Sequence, residues 1–165
     1  MDFGMPTLIE HESIEDCAKL CCELNLQFVE LSMDLPDYQP ESIDAAYFSD
    51  IAEKYGIYYI IHLEGRMNPC DVNIQVAKAY RDMTLRAIEI AKKISSPVIN
   101  MHFNEGEKFT LPHKKVYLFE KYFDDYKRKL MEFRDMCTDA VGTSDIKICV
   151  ENTRSFKLDF VKEGI

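Results

Sequence analysis

The sequence predicts an α/β protein built on a parallel sheet, and two observations predict it. Short apolar runs alternate with long amphipathic stretches along all 165 residues. No hairpin signal such as Asn-Gly joins one apolar run to the next. Alternation of this kind implies parallel strands, with helices carrying the chain back outside the sheet. A doubly wound sheet and a barrel both alternate in this way. No GxGxxG follows the first apolar run and no P-loop occurs, which tilts the choice toward a barrel.

Each element has its own justification. The first strand is expected near Phe3 to Ile9, where Pro6 interrupts the run. Ser13 offers a helix cap, Glu15 and Asp16 suit a first turn, and Ile14, Cys17, Cys21 and Leu24 follow at helical spacing until Asn25. Phe28 to Leu31 is the second strand. After a loop with Pro36 and Pro40, Ser42 is the expected cap of a helix whose stripe is Ala45, Phe48, Ile51, Ala52 and Tyr55. Gly56 stands where a terminating glycine belongs. Ile57 to Ile61 is apolar throughout, as suits a strand covered on both faces. Asp71 or Asn73 can cap the third helix, which carries Ile74, Ala77, Tyr80, Met83, Ala87, Ile90, Ala91 and Ile94 on one face and stops before Pro97. Val98 to Met101 is the fourth strand. A stripe from Val116 through Phe119, Phe123, Tyr126, Leu130, Phe133, Cys137 and Ala140 predicts a long fourth helix ended by Gly142. Ile146 to Val150 is the fifth strand, and a fifth helix is expected around Phe156 to Val161.

Composition narrows the function. An apolar fraction of 47% and a charged fraction of 30% describe an ordinary globular chain. No apolar run has the length of a membrane span. Met1-Asp2-Phe3-Gly4 shows neither the basic nor the apolar region of a signal peptide, so the expected location is the cytoplasm. The net charge of −9 speaks against nucleic acid as a partner, and Lys127-Arg128-Lys129 reads as a solvated helix face. The six cysteines form no CxxC pair. Cys17 and Cys21 share a helix face, which would suit a metal pair, but the reading preferred for all six is small buried hydrophobes in a reducing compartment.

In a parallel sheet every strand ends on the same side, so residues following the strands meet in space. Those residues are Glu30-Leu31-Ser32, His62-Leu63-Glu64-Gly65-Arg66, His102-Phe103-Asn104-Glu105-Gly106 and Glu151-Asn152-Thr153-Arg154. A single histidine after an apolar strand is usually a hydrogen-bonded structural residue. Two at equivalent positions, beside a glutamate on the next strand, instead suggest a three-ligand metal site with an open position. Imidazole and carboxylate suit Zn, Mn or Fe. Glu30 has a supporting role as its alternative. Arg154 and Arg66 can hold phosphate or carboxylate in a bidentate grip, or can form surface ion pairs. His11 and His113 read as structural.

The segments Phe28-Val29-Glu30-Leu31, Ile61-His62-Leu63, Asn100-Met101-His102 and Val150-Glu151-Asn152-Thr153 resemble the xylose-isomerase-like (β/α)8 barrels, which include sugar-phosphate isomerases and epimerases and the endonuclease IV branch. The resemblance implies an incomplete TIM-type barrel of about five parallel strands with outer helices. Residues 1–165 would form a single partial barrel domain that stops before strand six. From the endonuclease IV branch it implies His62, His102 and Glu151 as metal ligands. From the isomerase branch it implies that Glu151 binds the metal and also moves a proton, as the catalytic residue, while His62 and His102 more often line the substrate pocket. Glu30, Glu64, Asn152 and Arg154 are then expected to contact substrate. The implied function is part of a metal-dependent sugar or sugar-phosphate isomerase/epimerase, with a divalent metal as cofactor and a sugar or sugar phosphate as ligand. An apurinic-site endonuclease and a non-catalytic truncated barrel are the rivals. The family draws further Asp, His and Glu ligands from strands six to eight, so fold follows from the resemblance more directly than activity. Open sheet edges would allow self-association, and no membrane partner is expected.

Overall fold

The computed structural model describes residues 1–164, with the side chain of Arg154 outside that description. The chain runs β1 (Gly4–Pro6), α1 (Ile14–Glu23), β2 (Phe28–Ser32), α2 (Ala45–Tyr55), β3 (Tyr58–His62), α3 (Ile74–Lys93), β4 (Val98–His102), β5 (Lys108–Leu111), β6 (Lys114–Tyr117), α4 (Leu118–Lys121), α5 (Phe123–Val141), β7 (Lys147–Glu151) and α6 (Asp159–Glu163). Short 3-10 turns occupy Pro36–Tyr38 and Arg154–Lys157.

Five strands form one parallel sheet in the order β1-β2-β3-β4-β7. Burial alternates along β2, β3 and β4. Val29, Leu31, Tyr59, Ile61, Ile99 and Met101 are buried, and they share one core with Cys17, Phe48, Ile51, Ala87, Ile88 and Phe133 of the helices. Their neighbours in sequence, including Glu30, Ser32, His62, Asn100 and His102, face the other way and stay partly open. The helices therefore pack on one face of the sheet. Strands in sequential order under a single helical layer are the start of a barrel; a doubly wound sheet reverses its order and covers both faces.

This packing decides where the polar residues go. Side chains alternate along a strand, so slipping β3 by one residue would trade Tyr59 and Ile61 for Ile60 and His62 beneath the helices. Each full burial of an Ile or Leu is worth about 1.5–3 kcal/mol. The apolar residues hold the register, and His62 and His102 are left on the open face.

Several local expectations are corrected. The third strand is fully covered on its helical face only; Tyr58, Ile60 and His62 are half-buried on the other. Asp44, not Ser42, caps α2, its Oδ1 accepting from the N–H groups of Ala46 and Tyr47, while the Ser42 hydroxyl donates to the Pro36 carbonyl. Asn73 caps α3. A hairpin does interrupt the alternation: β5 pairs antiparallel with β6 across Pro112 and His113. Val116 belongs to that hairpin, so the helical stripe begins only at α4 and α5. Among the cysteines, Cys22 and Cys149 are exposed.

A second, smaller core sits beside the first. Cys70, Phe103, Phe119, Tyr126, Phe160 and Val161 form it, with the rings of Phe119 and Tyr126 stacked at 4.1 Å. It ties together the segments that follow β4 and β7. The Ser155 hydroxyl donates to the Phe103 carbonyl (3.0 Å), and the Tyr126 hydroxyl donates to the Asn104 carbonyl (3.2 Å). These bonds hold the stretch immediately after His102.

Candidate functional site

His62 and His102 end adjacent parallel strands, and Glu151 ends the next. Register places Glu151 directly opposite His102, and His62 opposite Asn100, on the same open face. Among the described residues these three are the one group of His, Cys, Asp or Glu whose ligand atoms come together, all within 4.8 Å of one another. The two imidazoles stand edge to face, with centroids 4.9 Å apart.

The hydrogen bonds around the rings define what they present. His62 Nδ1 lies 2.7 Å from the Leu63 carbonyl, and His102 Nδ1 lies 3.3 Å from the Gly65 carbonyl. A carbonyl oxygen only accepts, so each Nδ1 donates to its carbonyl in the tautomer that carries the ring proton there. In a neutral ring, Nε2 is then a bare lone pair. Both Nε2 atoms face the same carboxylate oxygen, Glu151 Oε2, at 3.3 Å from His62 and 3.1 Å from His102. The Glu151 carboxyl is held below its ordinary range, first by the hydrogen bond with His62. Desolvation opposes that effect, and the charge and hydrogen bond of His102 add to it.

Two lone pairs and a carboxylate on one point repel each other unless a positive charge lies between them. Protonating a ring supplies one such charge; a divalent ion supplies another. Metal bonds of about 2.0–2.2 Å separate neighbouring ligands of one ion by about 3.0–3.5 Å. The two histidine–glutamate separations, 3.3 and 3.1 Å, fall in that range, and all three ligand atoms lie within 4.8 Å, so the donor set fits a metal ion. His62 is the most sheltered of the three, with its side chain 14% exposed, while Glu151 at 47% opens to solvent.

The other expected residues are spread along the rim. Glu30 shares the open face but sits one row below, opposite Ile60, with no hydrogen bond to the three. Glu64 lies in the turn after β3, where its Oε1 accepts from Gln39 Nε2 at 3.3 Å. Asn152 is exposed, one residue past Glu151, and so is Arg66. Arg154, as a side chain, falls outside the described residues. Sequence reasoning missed Asp34, whose carboxylate accepts from the Gly65 N–H at 3.2 and 3.3 Å. Its signal was its place two residues beyond the end of β2, on the same rim.

The sheet order and the one-sided helical layer define the beginning of a (β/α)8 barrel, and comparison with solved structures agrees. A D-tagatose 3-epimerase-like protein superposes with a TM-score of 0.71 at 21% identity, over 93% of this chain and 53% of that one. A D-allulose 3-epimerase from Methylomonas sp., solved with D-allulose, gives 0.69 at 12% identity, over 99% and 59%. A xylose isomerase domain-containing protein from Salmonella typhimurium LT2 gives 0.59 at 19%, over 99% and 57%. The chain thus has the fold of the N-terminal part of the sugar-epimerase and xylose-isomerase-like barrels, and spans a little over half the length of these structures. No protein-family model matches it, and no curated protein matches it in sequence.

Proposed function

We propose that this chain carries part of a metal-dependent sugar or sugar-phosphate isomerase/epimerase site, with His62, His102 and Glu151 holding a divalent ion. The observation behind this reading is the convergence of two imidazole Nε2 atoms on one carboxylate oxygen, with each Nδ1 beside a backbone carbonyl. Zn, Mn or Fe suits that donor set. Such an ion, when bound, polarises a carbonyl or hydroxyl oxygen of the sugar. Glu151 meets both rings through Oε2 alone, which leaves Oε1 to take a proton from the carbon beside the carbonyl. Glu30, Glu64 and Asn152 border the substrate on the same rim, and Arg154 is the group suited to a phosphate. β1 and β7, the edges of the sheet among the described residues, are the surfaces through which copies would associate.

A second reading draws on the histidine pair, which suits a metal-assisted phosphodiesterase acting on abasic DNA. The net charge of −9 opposes it. Metal-stripped protein titrated with Zn²⁺ or Mn²⁺ by calorimetry tests the shared premise. Binding should fall at least about tenfold in His62→Ala and in His102→Ala. Tight binding untouched by both substitutions would rule the assignment out. Epimerisation of ketohexoses, set against nicking of an abasic duplex, then separates the two activities. Metal uptake with neither activity leaves the non-catalytic barrel.

A further inference from the structure

β7 is an edge of the sheet among the described residues. Its sequence, Lys147-Ile148-Cys149-Val150-Glu151, is complementary to itself when reversed. A cation and an anion stand at its two ends, an aliphatic residue on each side of the centre, and a thiol at the centre. The side chains sort by face. Lys147, Cys149 and Glu151 are exposed on the open face, in register with Val98, Asn100 and His102 of β4. Ile148 and Val150 turn toward the helices, where they line one wall of an apolar cleft whose other wall includes Phe133 and Cys137 of α5. The backbone is sorted too. The Lys147 N–H donates to the Pro97 carbonyl at 2.9 Å. Peptide groups alternate in direction along a strand, so residues 147, 149 and 151 turn theirs to β4. The N–H and C=O groups of Ile148 and Val150 therefore point to the outer edge.

We propose that β7 pairs antiparallel with β7 of a second copy, about a two-fold axis through Cys149, so that Lys147 of each copy meets Glu151 of the other. Every position then has a suitable partner. Ile148 and Val150 of opposite copies exchange their outward hydrogen bonds, and their side chains meet where the two clefts join. Cys149 faces its own counterpart in a pair without hydrogen bonds, where Cα atoms stand about 4.5 Å apart. Lys147 and Glu151 meet twice by symmetry, and opposite charges facing across strands stabilise a sheet. Shifting the register while keeping the faces matched sets Cys149 against Glu151 or against Lys147, and both ion pairs are lost. β1 is the poorer partner, since it offers three residues and Pro6 has no N–H to donate. A two-fold contact of this kind uses the same patch on both copies and closes on itself. It also brings a cation from the second copy to Glu151, at the rim of the candidate site. Metal plays no part in the pairing, so it stands or falls separately from the metal-site reading.

Charge exchange tests the register, read by sedimentation velocity on the metal-free 165-residue chain. Lys147→Glu places like charges opposite each other at both ends of the paired strands, and so does Glu151→Lys. Each variant alone should associate about tenfold more weakly than the unaltered chain. An equimolar mixture of the two matches opposite charges at both ends and should associate as tightly as the unaltered chain. A second measurement needs no charge change. Diamide accepts the two electrons and two protons that leave a pair of thiols, and Cα atoms about 4.5 Å apart lie within the span of a disulfide. Oxidation should therefore link two copies through Cys149. The linked dimer should persist in Cys22→Ser, which removes the other exposed thiol, and vanish in Cys149→Ser. This measurement decides the register if Glu151→Lys folds poorly. A monomeric unaltered chain, a mixture no tighter than its components, or a link formed through Cys22 instead of Cys149 would overturn the pairing.

Discussion

Glu151 offers one oxygen to two imidazoles, and the chemistry proposed here depends on that economy. Glu151→Gln keeps the shape of the side chain but removes the charge that pairs with a cation and the group that accepts a proton. Metal affinity should drop about 10–100-fold, and exchange of the substrate proton with D₂O should disappear while the circular dichroism spectrum is unchanged. Exchange at the original rate would remove Glu151 from the proton-transfer role. His62, His102 and Glu151 were legible in the sequence because each directly follows an apolar run, and parallel strands bring such positions together whatever their separation along the chain. Asp34 was harder to read: it stands on the same rim two residues past β2, but its bond is to the main-chain N–H of Gly65, and a contact with backbone leaves no side-chain pattern.

At the scale of the elements, helices were easier to read than loops, because an amphipathic stripe records the face a helix buries. Ile14, Cys17 and Cys21 are buried on α1 as their spacing requires, and Ala77, Ala87, Ile90 and Ala91 are buried on α3. The hairpin escaped for two physical reasons. Its turn, Pro112-His113, is not a glycine-containing pair, and its strand residue Val116 falls by chance in phase with the stripe of the helix that follows. Pro36–Tyr38 similarly displaced the start of α2 from Ser42 to Asp44, since the 3-10 turn uses the Ser42 hydroxyl for itself. Gly106 leads from β4 into the hairpin with φ +72°, and a Cβ there would lie 2.7 Å from the Phe119 ring. Gly106→Ala should therefore combine backbone strain with a clash in the smaller core and cost about 1–3 kcal/mol. Thermal unfolding would show this as a lowered midpoint. An unchanged midpoint would mean that Phe119 and the hairpin adjust freely, and that the smaller core does not brace the stretch after His102.

On the scale of the whole molecule, alternation along the chain could not choose between a barrel and a doubly wound sheet. The choice appears only in three dimensions, in the order β1-β2-β3-β4-β7 and in the single helical layer. The same arrangement leaves two edges among the described residues. β1 contributes three residues to its edge, whereas β7 contributes five and is less buried than any inner strand. Beside β7 runs an apolar cleft of about 430 Å³, lined by Ile146, Ile148 and Val150 of the sheet side and by Phe133, Cys137 and Val141 of α5. Its two cysteines, Cys70 and Cys137, are thiols pushed up to about 12 by burial, so the cleft offers packing surface and not reactivity. An edge with unpaired N–H and C=O groups next to an apolar cleft favours association of chains. The polypeptide of 165 residues should accordingly form dimers or larger species whose proportion rises with concentration in light scattering. Ile148→Lys places a charge in the cleft and on the flank of the edge strand, and should shift the distribution toward monomer. A chain that stays strictly monomeric at high concentration, with its parallel sheet intact, would show that this edge and cleft are protected without a second copy.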